Sequence, residues 1–345
     1  MPLYGTTDNG RHLALKGKNM GSLNEDLKNN IIHNAYLFCG EEDYLKSHYK
    51  KRFTEMIAAG NDMNVETFEG NKVEVGDIID AASTAPFFAE HKLIILDGTG
   101  LFSEKGKPLA DFMKSMPEST VLMFIEDDVK KTTALYKVIK EIGSITEFKR
   151  EGEKSLIGFA KNIFKQNKIK ITEKDATYLV NNVGDDMELL SREVEKLISY
   201  CLDRKEVTAA DIDEICTKQL SVKIFDMMDY MSVKDKAKTL DEFYKLIADK
   251  EPPARILGMI ARQFDILLLI KDLMGRGMSK SEIMNATGMS EFVVRKSMGQ
   301  CRHFSIRNLV DGFYASVKAE EDFKSGLILD EILAIELLIV DVTSK

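Results

Sequence analysis

The stretch Tyr36–Ser47, YLFCGEEDYLKS, decides how the chain is read. An apolar run, Tyr36–Cys39, enters Gly40 and then a segment with helical spacing. The interval from Gly40 to Lys46 and Ser47 fits the phosphate-loop pattern G-x-x-x-x-G-K-[ST] at every position but one. The exception is Leu45. The second glycine of that pattern lets the backbone turn tightly and aim its N–H groups at phosphate oxygens, and a leucine side chain obstructs both. Glu41, Glu42 and Asp43 add carboxylates where a triphosphate would lie. Like charges about 4 Å apart repel by roughly 1 kcal/mol in water and about 4 kcal/mol at an effective dielectric near 20. The stretch reads as a nucleotide-binding fold without nucleotide, against the alternative of an ordinary strand–turn–helix that matches the spacing by chance.

Working outward, short β-rich runs alternate with helix-length segments from Ile31 to Lys149. Strands are expected at Tyr36–Cys39, Val65–Phe68, Lys92–Asp97, Val121–Glu126 and Ser144–Phe148. That alternation predicts a mostly parallel sheet covered on both faces, an α/β domain over residues 31–149. After Arg150 the strand signals stop. Lys154–Gln166, Glu173–Val183 and Met187–Cys201 have helical spacing and open on a capping residue or an acidic first turn, such as Thr172 and Asp185-Asp186. They predict a small helical domain over residues 150–217, with Asp211–Lys218 leading out. Residues 218–345 read as all-α, with Pro252-Pro253 at a helix start and Gly275, Gly277, Gly288 and Gly326 at turns. Residues 1–30 are expected to be disordered or vector-derived. Met1–Leu27 is rich in Gly, Asn and Lys without apolar periodicity, and Met20-Gly-Ser resembles an internal start.

Composition narrows the function classes. The 345 residues are 44% apolar and 30% charged, a globular balance, and the net charge of −8 argues against holding nucleic acid alone through a broad basic face. Cys39, Cys201, Cys216 and Cys301 lie far apart without a C-x-x-C, which points to reduced thiols of a cytoplasmic protein and against a zinc site. The five histidines form no metal or catalytic motif, so no cofactor, metal or catalytic residue is expected. No apolar run is long enough for a membrane helix: Phe264–Ile270 and Ile332–Val340 are interrupted by charges. The 17 methionines fall on apolar helical faces and read as core filling.

Three further constellations bear on function. Pro86-Phe87-Phe88 falls between an amphipathic helix and a buried strand, at a helix end or loop. Neighbouring rings there do not easily face one core, and an exposed aromatic is the usual interface anchor, but on pattern alone burial of both rings is favoured. The strand Leu93–Leu96 ends in Asp97-Gly98, where a nucleotidase would present Asp-Glu, so the second catalytic loop is degenerate too. Lys280–Met298 has the outline of a helix-turn-helix with Gly288 in the turn, and Arg295, Lys296, Arg302 and Arg307 with His303 are basic enough to meet phosphates. Ile283, Met284, Val293, Val294 and Met298 suit two packed bundle helices equally, and the packing reading is the favoured one.

In order and spacing, YLFCGEEDYL, PFFAEHKLIIL (Pro86–Leu96), GDDMELLSREVEKL (Gly184–Leu197), KIFDMMDYM (Lys223–Met231), EPPARILGMIARQFDILLLIK (Glu251–Lys271), SEFVVRKSMGQCRHFS (Ser290–Ser305) and AEEDFKSGLILDEILAIELLI (Ala319–Ile339) resemble the delta-subunit family of bacterial DNA polymerase III clamp loaders. The resemblance runs from about Ala35 to Val340. It implies a degenerate, non-hydrolysing AAA+-like domain that binds the sliding clamp (beta) and holds one ring interface open. A helical lid and an all-α collar follow, and the collar assembles with delta-prime and the ATP-hydrolysing gamma/tau subunits during DNA replication. The nucleotidyltransferase activity would belong to the assembly.

The family's clamp-contacting pair falls on Phe87 and Phe88, after Pro86, which reverses the expectation of burial. Lys46 and Ser47 keep more phosphate-loop character than the resemblance leads one to expect, leaving weak nucleotide binding open. Arg295, Lys296, Arg302, Arg307 and the ring of Phe323 are candidate contacts to primer–template DNA, by phosphate neutralisation and base stacking. The competing readings are an autonomous P-loop-like NTPase and a helix-turn-helix DNA-binding regulator.

Overall fold

A computed structural model of the chain describes residues 20–58 and 60–344. It divides into two compact units between Glu151 and Gly152.

The first unit is built on five parallel strands, β1 (Ala35–Cys39), β2 (Val65–Glu69), β3 (Lys92–Asp97), β4 (Thr120–Glu126) and β5 (Ser144–Glu147), in the order β2-β3-β4-β1-β5. Every residue of β1 and β4 is buried, as continuous apolar runs in a doubly covered sheet require, whereas the edge strand β2 is mostly open. Helices α1 (Met20–Asn29), α2 (Asp43–Ala58), α3 (Val75–Ser83), α4 (Lys107–Met113) and α5 (Ala134–Ile142) supply the cover. The two-residue period of β1 sorts them. Ala35, Leu37 and Cys39 join a core with Ile78 and Ala82 of α3, Leu109 and Met113 of α4, and Leu135 and Ile139 of α5. Tyr36 and Phe38 point to the other face, where their rings meet Phe53 of α2 at 4.6 and 5.9 Å.

Met20–Asn29 corrects an expectation: it is a helix with Leu23 fully buried, packed against α2, so the disorder assigned to residues 1–30 does not hold over this part. One buried leucine in a Gly/Asn/Lys-rich run is too little periodicity to read as a helix, and the packing decides it. The rest of that expectation, residues 1–19, lies outside the described residues.

The second unit is helical apart from one short strand pair. Helices α6 (Glu153–Gln166), α7 (Glu173–Val183), α8 (Met187–Tyr200) and α9 (Ala209–Ile215) come first, joined by the parallel two-residue strands β6 (Lys170–Ile171) and β7 (Glu206–Val207). Two residues carry no alternation, which is why the pair is invisible in the sequence. Then come α10 (Leu220–Ser232), α11 (Lys236–Ala248), α12 (Pro253–Gly275), α13 (Lys280–Thr287), α14 (Glu291–Gln300), α15 (Ile306–Lys324) and α16 (Glu331–Ser344). The long α12 opens on proline and buries Ile256, Ile260, Phe264, Leu267 and Ile270 at helical spacing. Against it α15 presents Gly312, where a Cβ would lie 2.5 Å from the Phe264 ring.

Candidate functional site

The loop after β1 and the loop after β4 meet at the C-terminal ends of the strands, at the point where the strand order reverses and such sheets take ligands. Here the chain fills the place itself. Gly40 has φ of 111°, and a Cβ on it would stand 2.2 Å from the Phe148 carbonyl oxygen. Its N–H donates to the carbonyls of Glu126 and Asp127 at 3.2 and 3.0 Å, and Glu42 N–H donates to Phe148 O at 3.2 Å. Those donors are turned onto the chain's own backbone. Leu45, in the second-glycine position, is fully buried.

Lys46 lies at the centre, its side chain 4% exposed, with Nζ 2.5 Å from Asp127 Oδ1 and 2.8 Å from Asp43 Oδ1. Burial would lower its pKa, but the hydrogen bonds to Asp127 and Asp43 outweigh burial and hold the ammonium above its ordinary value. Ser47 is exposed, as are Glu41, which pairs with Arg150 at 3.4 Å, and Asp43, while Glu42 is buried. Lys50 takes Asp97 at 2.8 Å. Glu126, buried at the end of β4, accepts from Thr99 N–H, Thr99 Oγ1 and Gly100 N–H, each at 3.1 Å, and burial pushes its carboxyl up. Asp127 and Glu126 escaped the sequence reading. The available signal was their place at the end of a fully buried strand, which in a parallel sheet faces the loop after β1.

Pro86-Phe87-Phe88 lies at the opposite edge, because α3 runs back against the strands and delivers the loop to their N-terminal ends. The exit of α3 is fixed: Lys92 Nζ donates to Ala81 O at 2.9 Å and to Thr84 Oγ1 at 2.7 Å, and Pro86 follows. Phe87 is 52% and Phe88 92% exposed, with ring centroids 4.6 Å apart and the planes at 80°. Neither ring closes the core, contrary to what pattern alone favours. Phe88 has φ of 50°, a left-handed conformation that costs a bulky residue on the order of 1–3 kcal/mol. What holds it is Asn64, at the end of a short 3-10 turn (Asp62–Asn64) and buried to 1%. Asn64 Oδ1 accepts from Phe87 N–H at 2.5 Å, Asn64 Nδ2 donates to Phe87 O at 2.9 Å, and Asn61 Nδ2 donates to the same oxygen at 3.0 Å. The arrangement presents two rings on a backbone pinned from behind.

The helix-turn-helix outline is α13, Gly288 in the left-handed region, and α14 opened by the Ser290 cap. Ile283 and Val294 are fully buried in the bundle core with Met284 and Met298 against it, so the two helices pack as bundle members. Arg295 pairs with Glu153 at 3.0 Å and donates to Asn181 Oδ1 at 2.8 Å, and Lys296 lies 3.7 Å from Asp226. Arg302 and Arg307 are exposed, Arg307 with Asp311 at 3.8 Å. Phe323 is half-buried beside a cavity of about 120 Å³ lined also by Pro253, Leu257, Ala334 and Ile335. Among the described residues no three His, Cys, Asp or Glu side chains are grouped to hold a metal ion, and no helix is long and apolar enough to cross a membrane.

The family model for the DNA polymerase III delta subunit matches residues 36–149, and that for the C-terminal domain of the DNA polymerase III delta subunit matches residues 221–342. The chain is similar to the DNA polymerase III subunit delta of Bacillus subtilis, 25% identical over 337 residues, covering 93% of this chain and 96% of the relative. It is also similar to the probable DNA polymerase III subunit delta of Aquifex aeolicus, 21% identical over 268 residues, covering 74% of this chain and 75% of the relative. Among solved structures, the Bacillus subtilis DNA clamp loader delta protein has the same fold, with a TM-score of 0.76, 23% identity and coverage of 94% of this chain and 99% of that one.

Proposed function

We infer the function of this chain from the family to which it belongs, that of the DNA polymerase III delta subunit. It is a clamp-loader subunit whose partners are a sliding clamp and the other subunits of the loader. We propose that the first unit grips the clamp (beta) at Pro86-Phe87-Phe88 and holds one ring interface open, so that the cytoplasmic assembly can place the ring on primer–template DNA. Helices α10–α16 would join delta-prime and gamma/tau. The observation that carries this reading is the Phe87–Phe88 pair, exposed on a strained loop that the fold holds in place. A chain that binds an open ring more tightly than a closed one shifts the ring by that difference in affinity and no more.

In this reading the chain has no catalytic site of its own. The ion pairs around Lys46 support that, since a nucleotide would have to displace Asp43 and Asp127 and force apart a loop already hydrogen-bonded to Phe148. The autonomous NTPase reading therefore finds no support, and Arg295 and Lys296, engaged by Glu153, Asn181 and Asp226, lend none to the helix-turn-helix regulator. The test is binding of the full chain to the sliding clamp of the same organism, without nucleotide, wild type beside Phe87→Ala/Phe88→Ala. Tight binding, weakened about 100-fold or more by the double change, is expected. Full affinity in the variant would remove the site, and no binding by wild type at micromolar clamp would remove the function.

A further inference from the structure

The Phe87–Phe88 loop does not hold itself. It makes its closest polar contacts with a segment more than twenty residues earlier, the turn Asn61–Asn64. Three hydrogen bonds cross from that turn to one residue, Phe87, and they take both its N–H and its carbonyl. The carbonyl belongs to the peptide that sets φ of Phe88, the residue in the left-handed region. Asn64 is buried to 1%, and its amide oxygen and nitrogen are both satisfied by this one backbone. A buried amide whose oxygen and nitrogen both bond to one exposed loop fixes that loop's direction, since an unmade bond there would leave a desolvated polar group. Between the two asparagines stands Met63, 73% exposed at the same edge of the sheet. A flexible thioether of this kind suits an adaptable binding surface.

We propose that the clamp-facing surface is made of two segments, with Asn64 as the positioning residue that aims the Phe87 and Phe88 rings and Met63 as a third apolar contact. This rests on the clamp-binding reading above. The partner chemistry is an apolar pocket able to take two edge-to-face rings, flanked by surface that accepts a flexible thioether.

The experiment measures clamp binding of the full chain, with Asn64→Ala, Asn64→Asp and Met63→Ser beside Phe87→Ala/Phe88→Ala and the triple variant that adds Asn64→Ala. Asn64→Ala is expected to weaken binding roughly ten-fold through loss of loop order, and Met63→Ser about five-fold. In the background lacking both rings, Asn64→Ala should add nothing, because it acts through them. Amide exchange gives a readout independent of the clamp. The Phe87 N–H loses protection in Asn64→Ala and keeps it in Asn64→Asp, which retains the accepting oxygen and recovers part of the affinity. If Asn64→Ala does not fold, Asn61→Ala removes one bond from a half-exposed side chain and should still weaken binding about three-fold. Wild-type affinity in Asn64→Ala or Met63→Ser, or an Asn64→Ala loss that persists without the rings, overturns the two-segment surface. Retained affinity in Phe87→Ala/Phe88→Ala is a different failure, that of the clamp-binding site itself.

Discussion

Phe87 and Phe88 are neighbours in sequence, yet their unequal exposure predicts unequal consequences when each is cut back. Full burial of a phenylalanine side chain is worth about 1.5–3 kcal/mol. Phe88 keeps 92% of its surface in solvent, so nearly all of that is available to a partner, and Phe88→Ala should cost about 2 kcal/mol of clamp affinity, about 30-fold in Kd. Phe87 is 52% exposed, with the remainder already against its own fold, so Phe87→Ala should cost about 1 kcal/mol of affinity, about 5-fold, and also some stability. The backbone adds a second asymmetry. At φ of 50°, glycine is free of the strain that a phenylalanine bears, so Phe88→Gly should lose as much affinity as Phe88→Ala while stabilising the chain by about 1 kcal/mol. On thermal melting that is a rise on the order of 2 °C. The assays are calorimetric titration against the clamp and a melting curve of each free variant. Equal affinity losses from the two single truncations, or a lower melting temperature for Phe88→Gly, would refute the reasoning.

The nucleotide end offers its own checks. ATP titrated into the full chain should give no heat of binding up to about 1 mM, and Leu45→Gly should not restore it, because Lys46 stays held by Asp43 and Asp127. Gly40→Ala places a Cβ 2.2 Å from Phe148 O at φ of 111° and should destabilise by at least about 2 kcal/mol in urea unfolding. Glu126 has its carboxyl raised by burial, so from about 4.5 upward the folded chain keeps a proton that the unfolded chain has released, and stability falls as pH rises through that window. Glu126→Gln keeps an accepting oxygen without the charge, so its urea midpoint should gain on wild type between pH 4 and pH 8. In the assembled loader, Arg302→Ala/Arg307→Ala should reduce the salt slope of primer–template binding by about 2, whereas Arg295→Ala, paired with Glu153 and Asn181, should leave the slope unchanged.

The parallel sheet was legible because strands covered on both faces must be apolar through their length, as AYLFC and the VLMFI of β4 are. The fate of the charged and aromatic residues was not, because it rests on partners far along the chain. Lys46 looked fit to hold a phosphate until Asp127, 81 positions later, came beside it. Burial or exposure of Phe87 and Phe88 turns on Asn64, 23 positions earlier, a single polar residue in a segment with no motif. Phe323 offers a ring for stacking when read in sequence, and only the approach of α12 and α16 shows it half-buried at a small apolar cavity. Arg295 and Lys296 look free in a basic run and are engaged by Glu153 and Asp226, carboxylates that no local pattern brings near.

The two edges of the sheet differ in where their unsatisfied chemistry lies. A phosphate loop binds because its backbone N–H groups and its lysine lack partners until a ligand arrives. Here Gly40 and Glu42 donate to the chain's own carbonyls and Lys46 has two carboxylates, so this edge gains nothing from a nucleotide and needs none to keep its shape. At the other edge the balance is reversed. Two rings stand open to water, one of them on a residue with strained φ, and the three hydrogen bonds behind Phe87 stop the loop from relaxing to hide them. Only an apolar partner relieves that exposure, so the free energy available for binding lies in the Phe87–Phe88 loop and is present before any ligand reaches the opposite edge. In the proposed reading such a chain engages its partner unaided, and the dependence of loading on ATP is assigned to the subunits around it.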